Sequence, residues 1–90
     1  MTPGDAWQAR ILAKFALDEA DPLNDTVRLA AEALDRAAEA EAAITEHGLL
    51  IQGLHGLKAN PAVAIRRDAA AEFMRLCRVL GIHDVDKEAS

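Results

Sequence analysis

The chain has 90 residues, a formal net charge of −5 and a composition that is 51% apolar but only 3% aromatic. This length fits one domain with a limited core, and the negative charge argues against a protein that simply coats nucleic acid. The single cysteine, Cys77, excludes an internal disulfide and a cysteine-based metal site, and we expect it to be a buried thiol. No apolar run reaches the ~18 residues of a membrane span, and a signal pattern is missing, so we expect a soluble cytoplasmic protein.

The first predicted helix runs from Thr2 to about Leu17. Thr2 and Asp5 have the spacing of a capping box, which marks the start of a helix. One face carries three bulky apolar side chains at i, i+4 and i+8: Trp7, Ile11 and Phe15. We expect Trp7 to anchor this helix to the core, rather than to contact a partner or a nucleobase.

A long second helix is predicted between Asp21 and Gly48. Asp21 is a suitable N-cap before Pro22, and Gly48 suits the left-handed conformation that ends a helix. Apolar residues follow a heptad-like rhythm that we call the seam, and Glu41 interrupts it. The seam residues are Leu23, Val27, Ala30, Leu34, Ala37, Glu41 and Ile44. They indicate either a bundle helix or an oligomer interface, and we expect Glu41 to meet an arginine.

Residues 48–60 are the only part without a clear helical pattern. Three glycines separate short apolar runs there, which indicates a buried loop or a small β-hairpin with strands near 49–52 and 54–58. Because a lone hairpin is marginal in water, it must pack on the helices or pair with a neighbouring subunit. The glycines do not form a phosphate-binding motif.

A third helix is predicted from Pro61 to about Leu80, with Asn60 as N-cap and Gly81 at its end. We expect it to fold back antiparallel on the long helix, with Ile82 closing the final turn. The predicted fold is therefore all-α, or mainly α, with a possible hairpin at 49–58. We expect residues 1–82 to form one helical oligomerisation domain and residues 83–90 to form a flexible acidic tail.

The sequence gives no case for an enzyme. The three histidines are scattered and have no metal-ligand spacing, and Thr26 and Thr45 both fall inside the long helix. No catalytic residue, metal site or cofactor is therefore predicted.

The charge distribution is uneven along the chain. Residues 1–47 contain ten acidic and four basic side chains, whereas residues 48–81 contain two acidic and five basic ones. Opposite signs favour head-to-tail association, which closes into a ring if the rotation is right. The basic residues are either DNA-contact candidates or a counterbalance to the acidic helix, within or between subunits. They are Lys58, Arg66, Arg67, Arg75 and Arg78.

This order of features resembles the small terminase subunits of tailed phages. The matching segments are the helix end Glu46–Leu49, the stretch from Gly56 through Asn60-Pro61 to Ala62, and the last turns from Leu76 to Ile82. The opening from Trp7 to Asp21 also looks like the start of this module.

The resemblance implies a non-catalytic adaptor for DNA packaging. Such proteins form rings of roughly eight or more chains, engage double-stranded DNA and recruit or regulate the large terminase subunit. This sequence departs from longer members in lacking an N-terminal DNA-binding domain and a long basic tail. That departure puts sequence-specific recognition in doubt and fits a headful packager, such as a domesticated prophage or a gene transfer agent.

The alternative is a small acidic protein–protein interaction module, or a regulator, without DNA binding. A monomer or simple dimer would favour this alternative, and a closed ring would favour packaging.

Overall fold

A computed structural model describes residues 1–18 and 20–81 of the chain. The elements are α1 (Pro3–Phe15), α2 (Leu23–His47), β1 (Leu50–Gly53), β2 (Gly56–Ala59) and α3 (Pro61–Leu80). The prediction of a mainly helical chain with a small hairpin before the last helix is confirmed. The predicted acidic tail and the contact expected from Ile82 lie outside the described residues.

The N-terminus of α1 has the predicted capping box. The Thr2 hydroxyl oxygen accepts from the Asp5 N–H at 3.0 Å, and the Thr2 N–H donates to the Asp5 carboxylate at 3.2 Å. The helix ends at Phe15, about two residues earlier than predicted, because Ala16 adopts a left-handed conformation with φ 49°.

Asp35 of α2 holds the start of α1. Its carboxylate accepts from the Gly4 N–H at 2.8 Å and from the Thr2 hydroxyl at 3.0 Å. A negative charge is favourable there, because the first N–H groups of a helix are unpaired and carry partial positive charge. Gly4 is buried, and an added Cβ would lie 2.3 Å from the carbonyl oxygen of Ala31. Only glycine allows the two helices to approach this closely.

The ends of α2 follow the predicted signals, with one correction. The Asp21 carboxylate accepts from the Leu23 N–H at 2.9 Å, and Pro22 already has helical φ and ψ of −57° and −24°. At the other end, the Gly48 N–H donates to the Ile44 carbonyl at 2.7 Å. Gly48 has the expected positive φ of 85°, but its ψ of 174° is extended, so the prediction of a left-handed helical conformation is wrong. The chain leaves α2 directly into the hairpin.

The core lies where α1 and α3 meet α2. Trp7 is 3% exposed and packs edge-on against Phe73, with ring centroids 5.1 Å apart and an interplanar angle of 71°. Small side chains of α2 let the helices come close, and the core residues around this pair are Ile11, Val27, Ala30, Ala31, Ala33, Leu76 and Cys77. The expectations that Trp7 anchors α1 and that Cys77 is buried are both confirmed. Phe15, in contrast, is 47% exposed, because α1 ends there.

The hairpin forms one end of an elongated molecule of 52 × 27 × 24 Å. β1 continues from α2, and β2 leads into α3, with Leu54 and His55 as the two-residue turn. Asn60 joins the helices below the hairpin: its side-chain amide donates to the Gly48 carbonyl at 2.9 Å, and its side-chain oxygen accepts from the Ala62 N–H at 3.0 Å. The predicted Asn60 cap is therefore confirmed, and it also links α2 to α3.

Candidate subunit and nucleic-acid interfaces

The structure divides the seam between the chain's own core and its surface. Val27 and Ala30 are fully buried within the single chain, and Leu34 packs against the same core. These residues stabilise the protomer and leave little surface for a neighbour. Leu23 is 40% exposed, while Ala37 and Ile44 are half-buried. An interface role therefore stays a prediction that rests mainly on Leu23, Ala37 and Ile44.

Glu41, the polar interruption of the seam, meets an arginine as expected. Its carboxylate lies 2.6 Å from a guanidinium nitrogen of Arg66 in the same chain, and both side chains are about half exposed. A second ion pair, between Arg36 and Glu72 at 2.9 Å, also joins α2 to α3. Exposed pairs of this kind contribute at most about 1 kcal/mol each. The charge of Arg66 is already matched within the chain.

Three other arginines share the side of α3 that faces away from its buried residues. At 3.6 residues per turn, Arg67, Arg75 and Arg78 lie on the side opposite Ala69 and Phe73, and all three are exposed. Arg67 contacts the adjacent Asp68 at 3.3 Å, with both side chains about three-quarters exposed. Within the described residues, Arg75 and Arg78 have no ion pair. We call Arg67, Arg75 and Arg78 the arginine face.

Lys58 lies apart from this face. It is exposed on β2, directly opposite Ile51 of β1. The sequence predicted one strip of five basic residues. In the structure, only the three residues of the arginine face lie together on one side of α3.

The outward side of α2 carries the opposite charge. Glu32, Glu39 and Glu46 recur every seven residues and are exposed, away from the buried alanines of this helix. Glu32 pairs with Arg28 at 3.3 Å, whereas Glu39 has no ion pair among the described residues. The protomer therefore has an acidic face on α2 and a basic face on α3.

Exposed leucines on the hairpin are the feature that the sequence reasoning missed. Leu49, Leu50, Leu54 and Leu57 are 62%, 58%, 94% and 69% exposed, respectively. The expectation of a buried loop, based on apolar residues between glycines, is therefore wrong for these side chains. Residues 48–67 also contain no carboxylate side chain. This lack of acidic side chains is the feature of the sequence that could have indicated a distinct surface in this segment.

The described residues contain no group of three or more His, Cys, Asp or Glu side chains that could hold a metal ion. Among them there is also no helix that is both long and apolar enough to span a membrane. The described residues thus form a small helical protein in which α2 and α3 have oppositely charged outer faces and the hairpin end is apolar and exposed.

The family model described as phage terminase, small subunit, matches residues 10–88, which is most of the chain. The chain belongs to this family of phage DNA-packaging proteins. No curated protein and no solved structure matches it.

Proposed function

We propose that this protein is a non-catalytic adaptor of DNA packaging that forms a ring, engages double-stranded DNA and recruits or regulates the large terminase subunit. The observation that carries the proposal is the family match over residues 10–88. Its place of action would be the cytoplasm of a bacterium that carries the phage, prophage or gene transfer agent.

The arginine face supports contact with DNA. Arg75 and Arg78 are exposed and have no ion pair among the described residues, so they are available to phosphates. Arg67 and Arg78 are eleven positions apart, or about 16 Å along the helix axis, so the face presents charge over several phosphates. Phosphate contacts carry no base information, which favours low sequence specificity. Lys58 would extend the contact, and Arg66 would contribute less because it already pairs with Glu41.

A ring reconciles DNA binding with the net charge of −5. Each protomer offers only a few available cations, but a ring repeats the arginine face, and many weak phosphate contacts then add up. The acidic face of α2 and Arg67, which lies at the hairpin end of the arginine face, are complementary between copies, and this contact leaves Arg75 and Arg78 available to DNA. A head-to-tail contact between them is heterologous and closes when the rotation allows.

Native mass spectrometry at low salt is expected to show one closed assembly of roughly eight or more chains. The assembly should dissociate as salt rises, because the contact between exposed charged faces is screened. A monomer at low salt would rule out the ring, and a simple dimer without DNA binding would support a helical interaction module instead.

Replacing Arg75 and Arg78 together with glutamine is expected to flatten the salt dependence of DNA binding. Removal of one phosphate interaction with duplex DNA should reduce the slope of log K against log salt concentration by about 0.9. Fluorescence anisotropy over a salt series measures this slope. The matched control is Arg66→Gln, which should change the slope little because Glu41 already compensates its charge. An unaltered slope in an intact Arg75/Arg78 variant would exclude both residues from the DNA interface.

A further inference from the structure

The two ends of the arginine face differ in their local charge. At the hairpin end, Arg67 contacts Asp68 at 3.3 Å. At the other end, Arg75 and Arg78 lie in the last turns of α3, are exposed and have no ion pair within residues 1–18 and 20–81. No residue between 73 and 81 is acidic. Helix α3 itself therefore leaves the positive charge of this end uncompensated.

The part of the chain that follows α3 carries the opposite charge. We call residues 82–90 the acidic segment, because three negative charges and one positive charge give it a net charge of −2 with histidine neutral. Its charged residues are Asp84, Asp86, Lys87 and Glu88. The residue before this segment, Gly81, is bonded to the last turn of α3, since its N–H donates to the Arg78 carbonyl at 3.0 Å. The acidic segment therefore follows directly on the uncompensated end of the arginine face.

Distances along the chain determine which arginines the acidic segment reaches. Arg78 and Arg75 lie three and six positions before Gly81, or about 4.5 and 9 Å along the helix axis. The first two carboxylates lie three and five positions after Gly81, and an extended chain covers about 3.3 Å per residue, so they reach about 10 and 17 Å. Arg67, about 21 Å from Gly81 along the same axis, is beyond them. The segment thus matches the end of the arginine face that has no partner.

A tethered carboxylate competes well with a phosphate in solution. Two groups joined by a short stretch of chain meet at an effective concentration of the order of millimolar. A guanidinium that pairs with such a carboxylate must give up this contact before it binds a phosphate of DNA. Ion pairs between exposed groups are weak, so the segment lowers the affinity for DNA and does not abolish binding.

We propose that the acidic segment is an intramolecular competitor of DNA, whose carboxylates contact Arg75 and Arg78. The inference rests on the proposed contact between the arginine face and DNA, and adds to it a regulation of that contact. The segment sets how tightly the protein holds duplex DNA. Any change that neutralises or sequesters its carboxylates raises this affinity.

Neutralising the segment with Asp84→Asn, Asp86→Asn and Glu88→Gln together tests the competition. At low salt, the dissociation constant for duplex DNA should fall by about threefold or more, because two weak ion pairs no longer oppose binding. Fluorescence anisotropy measures this constant. The difference from the unaltered chain should shrink as salt rises, since exposed ion pairs are screened. Far-ultraviolet circular dichroism should be the same for both proteins.

The same three substitutions in an Arg75→Gln/Arg78→Gln background provide the matched control. Without the two arginines, neutralisation changes only the net charge, so the gain in affinity should be clearly smaller. An equal gain in both backgrounds would reveal a general effect of net charge and overturn the inference, as would an unaltered dissociation constant. In either case DNA binding, and with it the proposed function, would stand. Absence of DNA binding in every protein would overturn both.

Carbodiimide crosslinking measures the contact itself. Arg78→Lys keeps the positive charge and supplies an amino group that this reagent joins to carboxylates. Mass spectrometry should find links from position 78 to the acidic segment, and duplex DNA should lower their yield. Arg67→Lys is the matched control on the same face of α3, and it should give few links to the segment. A yield that is the same with and without DNA would contradict competition.

Discussion

Gly4→Ala is expected to destabilise the protein by about 1–3 kcal/mol, the usual cost of overpacking. On a free helix the same change would stabilise by up to about 1 kcal/mol, since alanine is the better helix former. Here the new Cβ would lie 2.3 Å from the Ala31 carbonyl oxygen and 2.7 Å from an oxygen of Asp35. Both neighbours are fixed, one as backbone and the other by its bonds to α1. The helix must therefore move away, which disrupts both hydrogen bonds to Asp35.

Trp7 is the only tryptophan, so its fluorescence reports whether α1 is docked. Gly4→Ala should shift its emission to the red and lower the midpoint of urea unfolding. Ala9→Ser is the matched control, because it adds one heavy atom at an exposed position of the same helix. It should leave the emission unchanged. A Gly4→Ala protein as stable as the unaltered chain would show that α1 and α2 do not approach as closely as described.

Asn60→Ala is expected to lower the free energy of unfolding by about 2 kcal/mol. Loss of an N-cap costs about 1 kcal/mol, and loss of the hydrogen bond to the Gly48 carbonyl adds about 1 kcal/mol. The side chain is 7% exposed and contacts both Gly48 and Ala62, so water cannot readily replace it. Denaturant unfolding at a constant m-value measures the change.

Asn60→Asp separates the two contributions. The carboxylate keeps the acceptor for the Ala62 N–H and suits the start of a helix, but it has no donor for the Gly48 carbonyl. We expect a loss clearly smaller than that of Asn60→Ala. If both variants were equally unstable, the link to Gly48 rather than the cap would dominate. If neither were unstable, Asn60 would not join α2 to α3.

Local signals in the sequence were sufficient to predict most of the fold. Thr2, Asp21 and Asn60 each carry a side-chain acceptor at a helix start, and all three make the expected bonds. The contact between Gly4 and Asp35 was not predictable, because it joins residues 31 positions apart and depends on how two helices meet in space. The exposure of Phe15 was missed for a related reason: helical spacing continues to that residue, but the backbone turns immediately after it.

The candidate surfaces were less predictable than the fold. The heptad-like spacing placed Val27, Ala30 and Leu23 on one seam. Which of these side chains are buried depends on how α1 and α3 pack against α2. The number and positions of the basic residues could be read directly from the sequence. The ion pair that occupies Arg66 depends on the register between α2 and α3, and spacing along either helix alone does not determine this register.

The two ion pairs between α2 and α3 have opposite polarity, since α2 supplies Arg36 to one and Glu41 to the other. Arg36 and Glu41 are five positions apart, or about 140° around α2, so the two pairs lie on opposite flanks of the contact between α2 and α3. Alanine-rich surfaces are smooth and would otherwise tolerate a slip or a roll of α3. Rolling α3 in either direction stretches one of the two pairs, and sliding it along its axis stretches both. The two weak surface contacts together therefore favour one alignment of the helices.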